Sequence, residues 1–414
     1  MINYEHFTLD NGLRVYVLPD PSVAVAVMNI AYDVGSRDEE PHKTGFAHLF
    51  EHLMFGGSKN IPSYDEPLQR VGGENNAFTS ADYTNYYLTL PATNLETGFW
   101  LESDRMLSLS FDPQVLAVQR KVVIEEFKQR YLNRPYGDVW HKLRPVAYQK
   151  HPYRWPVIGE KIAHIEEATM EDVKSFFFRH YVPARAVLVV AGNVTTPQVR
   201  ALSEKWFGPI TNTSAYVRNI PAEPIQHEKR TVSASGDVPH KAIYKVYHMP
   251  GRTDPDYYTA DLLSDVLGRG KSSRLYQKLV DEKQLFTGLS AMVTGTSDPG
   301  LLTINGHLMS GVSFEQAEEE IDAIVNDFVE KGVLDKELEK VKNQALATLS
   351  FGKVELLEKA MMLAYFALNG LEDRLNNEDQ LIKNIQPKDL KNMAEKLLIP
   401  ERSTVLYYDT KDKE

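Results

Sequence analysis

The segment His48-Leu49-Phe50-Glu51-His52 has side chains that could bind a metal ion and transfer a proton. On a helix, residues four apart share one face, so the imidazoles of His48 and His52 can reach a single ion. Catalytic zinc usually takes three protein ligands and one water, and a nearby carboxylate can accept a proton from that water. The spacing therefore predicts a hydrolytic zinc centre with Glu51 as general base. The competing interpretation is a polar helix face without a metal.

A third ligand is predicted in residues 119–127, which read as a helix with an apolar stripe. This segment contains two adjacent carboxylates, Glu125 and Glu126, which cannot both point the same way on a helix. We choose Glu126 as the metal ligand and keep Glu125 as the alternative. Because the chain has no cysteine, thiolate ligands and disulfides are excluded, and a zinc ion must be bound by His, Asp or Glu.

The elements that must position these residues occur twice along the chain. Residues 8–33 alternate like paired strands around an Asn11-Gly12 turn, and a helix is predicted to start after Gly45. Residues 231–248 repeat the strand pattern, and a second helix is predicted near Tyr257. Farther on, residues 314–350 are amphipathic and predict two more helices.

When residues 258–267 are laid over residues 45–54, the apolar positions coincide but the chemistry does not. In the second copy, Asp261 and Asp265 take the places of the two histidines, and Ser264 takes the place of the glutamate. The duplication thus predicts two similar domains of which only the first has a metal site.

A length of 414 residues suits two domains of roughly 200 residues each. A polar stretch beginning at Thr211 and followed by Pro221 and Pro224 has linker composition. We predict an α+β fold with two similar domains, each a mainly antiparallel β-sheet packed with α-helices. Residues 1–212 form the zinc-binding domain, 213–230 the linker, and 231–414 the homologous domain without a metal.

Composition narrows the classes of partner. The hydrophobic fraction of 43% and the charged fraction of 25% are ordinary for a soluble globular protein, and no apolar run reaches the ~20 residues of a membrane helix. A net charge of −11 disfavours nucleic acid, which needs a basic surface. The N-terminus lacks the basic start and apolar stretch of a secretory signal, so we expect a cytoplasmic protein, or a periplasmic one if a signal has been removed.

With these features together, the chain resembles the pitrilysin family, which includes insulin-degrading enzyme and the mitochondrial processing peptidase. Glu126 follows His52 by 74 residues, as the third ligand does in half-length members of that family. Segments that match family signatures are residues 45–52, 72–80, 151–153 and 268–275. The resemblance implies one zinc per chain on His48, His52 and Glu126, the base Glu51, and a clam-shell chamber built from two such subunits.

The segment around Asn76, Ala77 and Phe78 resembles the family's edge strand. An extended peptide can add to an exposed sheet edge through backbone hydrogen bonds, and such binding tolerates varied sequences. We therefore predict that these three residues bind peptide substrates.

The chain departs from the family pattern in two places. Gln119 stands where the family often has a second glutamate, and its amide could still hydrogen-bond to a metal-binding side chain without adding negative charge. Val280 and Thr287 stand where complete enzymes have an Arg and a Tyr that approach the substrate carbonyl. Arg274 and Tyr276 are nearby but have the wrong spacing.

These departures predict a zinc metalloendopeptidase subunit that hydrolyses peptide bonds in short or unfolded peptides. We expect it to form a heterodimer with a homologous subunit that lacks the zinc motif and supplies the Arg and the Tyr. One alternative is a homodimeric zinc peptidase. Another is a non-catalytic core or assembly protein of the same family, although members of that kind tend to lose the four metal-site residues, which are all present here.

Overall fold

The computed structural model describes residues 1–411, which form eleven strands and fifteen α-helices. The strands are β1 (Glu5–Thr8), β2 (Arg14–Pro19), β3 (Val25–Tyr32), β4 (Glu74–Thr79), β5 (Thr84–Pro91), β6 (Ala186–Gly192), β7 (Arg230–Gly236), β8 (Ala242–Met249), β9 (Phe286–Val293), β10 (Gly300–Leu308) and β11 (Ser403–Thr410). The helices are α1 (Phe46–Leu53), α2 (Asp65–Arg70), α3 (Leu95–Leu107), α4 (Pro113–Phe127), α5 (Val139–Ala147), α6 (Ile162–Glu166), α7 (Met170–His180), α8 (Thr196–Trp206), α9 (Tyr257–Gly268), α10 (Phe314–Lys331), α11 (Asp335–Gly352), α12 (Leu356–Leu368), α13 (Glu372–Leu375), α14 (Glu378–Asn384) and α15 (Pro387–Leu397).

The chain divides into two compact units. The first consists of Met1–Lys128, Trp155–Ile220 and Ser350–Asn376, and the second of the remaining described residues. From 210 to 229 the chain forms neither helix nor strand, in keeping with its polar, proline-containing composition.

The first unit is built on a six-stranded sheet with the order β1-β2-β6-β3-β5-β4. Only the β2–β6 pair is parallel, and the other four pairs are antiparallel. The predicted Asn11-Gly12 turn joins β1 to β2, with Gly12 at a φ of 89° and Leu9 N–H donating to Leu13 O at 2.9 Å. β4 is the last strand at one side of this sheet and pairs with β5 alone among the described strands.

The central strand β6 is buried along its whole length. One face of β6 and β3 is covered by α12, whose Ala360, Leu363 and Ala364 share an apolar cluster with Val187 and Val189 of β6. Because every residue of β6 is buried, both faces of this strand are covered, and a strand of this kind reads as an almost continuous apolar run, as residues 186–192 do.

The second unit is built on a five-stranded sheet with the order β7-β11-β8-β10-β9. Its β7–β11 pair is parallel and its other pairs are antiparallel. Helices α9, α10 and α15 pack over the sheet around one apolar core, and α5 packs against β7 and β11. The expected α+β class with two mainly antiparallel sheets is confirmed, as are the two helices within residues 314–350.

The two units differ from the contiguous domains expected at residues 1–212 and 231–414. Residues 129–154, which include α5, belong to the second unit, and residues 350–376, which include α12, belong to the first. The physical reason is that the sheet of each unit buries apolar surface under a helix that lies in the other half of the chain.

Within residues 1–411, no helix combines the length and the apolar character needed to cross a bilayer.

Candidate metal centre

The start of α1 is fixed by two residues outside the metal-binding motif. Gly45 precedes the helix with a φ of 88°, and a Cβ at this position would lie 2.6 Å from Ile158 O, so glycine is required. The buried carboxylate of Glu39 accepts hydrogen bonds from Gly45 N–H at 2.9 Å and Ala47 N–H at 2.8 Å. These bonds satisfy donors that a helix start leaves without intrahelical partners.

Burial raises the pKa of the Glu39 carboxyl well above its ordinary value, although the two backbone hydrogen bonds favour its charged form.

The apolar side of α1 anchors the helix in the first unit. Phe50 is fully buried, stacks on Tyr181 at a ring-centroid distance of 5.3 Å, and its carbonyl accepts a hydrogen bond from Tyr86 Oη at 3.4 Å. Leu49 and Leu53 are buried as well. With this side held by packing, His48 and His52 are presented together on another side of the helix.

The two imidazoles and the Glu126 carboxylate converge. His48 Nε2 lies 3.6 Å and His52 Nε2 3.4 Å from Glu126 Oε2. The two histidine rings are nearly perpendicular, at 86°, with centroids 4.9 Å apart. One ligand atom from each of the three side chains lies within 4.8 Å of the others, and this is the one such group of three found within residues 1–411.

The position of Glu126 on α4 separates it from its neighbour Glu125. The Glu125 side chain is 60% exposed and forms an ion pair with Lys128 at 2.7 Å, whereas the Glu126 side chain is 18% exposed. Of the two carboxylates left open by the sequence, Glu126 is therefore the one that faces the histidines. Gln119 lies on the same helix and is partly exposed, and a hydrogen bond from its amide to a metal-binding side chain stays a prediction.

Glu51 is held by the neighbouring edge strand. Thr79 Oγ1, at the end of β4, donates a hydrogen bond to Glu51 Oε2 at 2.6 Å. Burial raises the pKa of the Glu51 carboxyl above its ordinary value, while the hydroxyl and the backbone N–H of Thr79 act in the opposite direction. A carboxylate with a raised pKa is a better proton acceptor than an exposed one at neutral pH, as a general base requires.

The three predicted substrate-binding residues, Asn76, Ala77 and Phe78, all lie on β4. Ala77 N–H donates to the side-chain oxygen of Asn76 at 2.8 Å, and the Phe78 ring packs edge-on against Tyr83. An open strand edge beside α1 is suited to a peptide in extended form, and the role of these residues in binding stays a prediction.

Sequence reasoning missed Glu39 and Thr79. Thr79 lies inside the segment 72–80 that resembles the family, so the residue itself could have been singled out. Its contact with Glu51 could not be predicted, because the two residues are 28 positions apart in the sequence. Glu39 lies before α1 and outside the motif of residues 48–52, so the motif does not indicate that its carboxylate binds the N–H groups at the start of the helix.

The second copy of the helix, α9, has different chemistry. Asp265 forms an ion pair with Arg269 at 2.9 Å. Burial, with the charge of Asp265 as a smaller cause, raises the pKa of Asp261 to about 6. Asp265 is thus paired and Asp261 is largely buried within the second unit, and the prediction that this copy binds no metal stays a prediction.

Two family models match the chain. Residues 14–161 match the model described as insulinase (peptidase family M16), and residues 167–345 match the model described as the peptidase M16 inactive domain. The zinc protease PqqE of Helicobacter pylori is 30% identical over 98% of this chain and 92% of its own length.

Solved structures agree in fold. The crystal structure of a protease from Helicobacter pylori superposes with a TM-score of 0.91 at 29% identity, over 99% of this chain and 100% of that one. Pitrilysin superposes with a TM-score of 0.77 at 18% identity, and the match covers 98% of this chain and 45% of pitrilysin.

Proposed function

Because this chain belongs to the peptidase M16 family, we propose that it is the zinc-binding subunit of a metalloendopeptidase that hydrolyses peptide bonds in short or unfolded peptides. The observation that supports the proposal best is the convergence of His48, His52 and Glu126 next to Glu51. In the proposal, the first three residues bind one zinc ion per chain, and Glu51 is the general base.

The donor set fits zinc. Two imidazole nitrogens and one carboxylate oxygen are ligands that zinc accepts, and three protein ligands leave a coordination position for water. When bound, the metal would lower the pKa of that water to about 7 and polarise the substrate carbonyl.

Glu51 has the position and the environment for proton transfer. Its Oε2 is held by Thr79, so Oε1 is the oxygen that accepts the proton from the attacking water and delivers it to the leaving amine.

The substrate binds in this proposal as an added strand on β4. In an antiparallel ladder, successive residues turn their backbone groups alternately towards the partner strand and away from it. Ser80 N–H donates to Tyr83 O at 2.9 Å, next to the Thr79–Thr84 pair, so the backbone groups of Ala77 turn towards the open edge. Pairing through the Ala77 carbonyl, and through its N–H once this leaves the Asn76 side chain, would select extended peptides with little regard to side chains.

Two residues of the second unit are the reason to propose that activity depends on a partner subunit. Val280 packs against the apolar core of that unit, and Thr287, on β9, is exposed with its hydroxyl 3.3 Å from His307 O. Neither side chain is a cation or a phenol that could stabilise the negative charge developing on the carbonyl oxygen. Since losing one such donor costs about 10²–10³-fold in kcat, we propose that a homologous subunit supplies the Arg and the Tyr.

The test compares the purified chain alone with a 1:1 mixture of the chain and a homologue that has the Arg and the Tyr but no zinc motif. We expect the chain alone to bind one zinc but to cleave an unstructured fluorogenic peptide slowly, and the mixture to cleave it at least about 10²-fold faster. The same mixture made with Glu51→Gln is the control for contaminating proteases. Full activity of the chain alone, unchanged by the homologue, would refute partner dependence and favour a homodimer. Absence of zinc binding would refute the metallopeptidase proposal itself.

A further inference from the structure

The hydrogen bond between Thr79 and Glu51 joins two parts of the site that the proposed function treats separately. Thr79 is the last residue of the edge strand β4, and Glu51 belongs to the helix α1 that presents the histidines. Their side chains meet at 2.6 Å, with the hydroxyl donating to the carboxylate.

The backbone of Thr79 also turns towards the open edge. In the alternation that starts from the bond between Ser80 N–H and Tyr83 O, Asn75, Ala77 and Thr79 are the positions of β4 that direct their N–H and C=O groups away from β5. A peptide paired with β4 would therefore form backbone hydrogen bonds with Ala77. At the next edge position, Thr79, it would meet the Glu51 carboxylate.

We propose that Thr79 is a positioning residue that holds Glu51 at the point where edge pairing ends, so that the substrate register on β4 and the position of the base are fixed together. This inference rests on the proposed function, because it assumes that Glu51 is the base and that the substrate binds at β4.

The chemistry favours this arrangement over a merely structural bond. A glutamate side chain has three rotatable bonds, and a base must stay within a fraction of an ångström of its productive position. The short bond to Thr79 fixes one carboxylate oxygen and selects the other as proton acceptor. Since strand β4 provides the donor, any movement of the strand would move the base with the substrate.

The experiment compares Thr79→Val, which keeps the shape and removes the hydroxyl, with Thr79→Ser, which keeps the hydroxyl. Thr89→Val is the matched control, since Thr89 lies at the other end of the same β4–β5 pair, opposite Glu74. Zinc content, melting temperature, kcat and KM are measured for each variant in the active form of the enzyme, with its homologous subunit if one is required.

We expect Thr79→Val to lower kcat about 10- to 100-fold with little change in KM, zinc content or melting temperature. Thr79→Ser should retain kcat within a few-fold of wild type, and Thr89→Val should resemble wild type. A second readout is independent of activity: in metal-free crystals of Thr79→Val, the Glu51 carboxylate should leave the orientation that it keeps in the wild type and in Thr79→Ser. If Thr79→Val does not fold, Thr79→Ala removes the hydroxyl with a smaller side chain.

Wild-type kcat and an unmoved Glu51 in Thr79→Val would overturn the inference, and so would an equal loss of kcat in Thr79→Ser. A rise in KM alone would also contradict it, because Thr79 would then act on substrate binding. These outcomes are distinct from failure of the proposed function, in which Glu51→Gln itself would retain activity.

Discussion

Replacing Glu126 by Gln tests the metal centre most directly, because the chain offers a matched control one residue away. Glu126→Gln keeps the size of the side chain and removes the charge that lies 3.6 Å and 3.4 Å from the two histidine Nε2 atoms. Glu125→Gln makes the same change on a side chain that is 60% exposed and paired with Lys128. The two variants have the same composition and net charge.

The expected magnitude follows from the number of ligands. Zinc binding to structural sites with four protein ligands is worth roughly 10–16 kcal/mol, or roughly 2.5–4 kcal/mol for each ligand. At 1.4 kcal/mol for each factor of ten, loss of the Glu126 carboxylate should weaken zinc binding about 10²–10³-fold. Loss of the Glu125 carboxylate removes a surface ion pair that contributes at most about 1 kcal/mol to stability and should leave zinc affinity unchanged.

The assay is titration of the metal-free protein with zinc in competition with a chelating dye, supported by metal analysis after dialysis. Both variants should first show wild-type circular dichroism, so that any difference reports metal binding and not unfolding. If Glu125→Gln lost zinc while Glu126→Gln bound it normally, the ligand assignment would be inverted. If neither variant changed zinc affinity, the convergence of the three side chains would have another cause.

Three further predictions address the base, the substrate edge and the second unit. Glu51→Gln should abolish turnover while zinc content stays near one per chain, and wild-type hydrolysis by this variant would show that another group is the base. A model peptide with N-methylated backbone near the cut site should have a sharply raised KM, since methylation removes the donor that pairs with the edge at Ala77; equal kinetics for both peptides would argue against this edge. Asp261 has a folded-state pKa of about 6, above its unfolded value, so its contribution lowers stability as pH rises from about 4 to about 6. In Asp261→Asn this loss of stability, which is at most about 3 kcal/mol, should be absent. The measurement is denaturant unfolding of the wild type and the variant at pH 4.5 and 7.5. An equal change in the free energy of unfolding between the two pH values in both proteins would exclude a contribution from Asp261.

Features that depend on neighbours along the chain were predicted well from the sequence. The spacing of His48 and His52 fixes a shared helix face whatever surrounds it, and the Asn11-Gly12 turn needs only a glycine at positive φ. The choice between Glu125 and Glu126 was harder. Both carboxylates satisfy the local pattern, and the rotation of α4 about its own axis, set by the packing of Leu116, Val123 and Phe127, decides which one faces the histidines.

Features that depend on distant segments were not predictable in this way. Nothing near α12 in the sequence indicates that its apolar face covers β6, which lies about 170 residues earlier, so the contiguous domains expected from the sequence differ from the observed units. The bonds from Glu39 to the start of α1 and from Thr79 to Glu51 likewise form only when the chain is folded.

The distribution of these tertiary contacts bears on why, among residues 1–411, three possible metal ligands converge at one copy of the duplicated plan and not at the other. In α1, the helix start is fixed by Glu39, the proposed base Glu51 is held by β4, and the proposed third ligand comes from α4. Three separate segments must therefore be in place before the two histidines can form the proposed site. In α9, the equivalent residue Asp265 is paired with Arg269, the residue that directly follows the helix, and needs none of these segments. Introducing His at positions 261 and 265 should therefore not create a comparable zinc site, because the motif supplies two ligands and the surrounding fold supplies the rest.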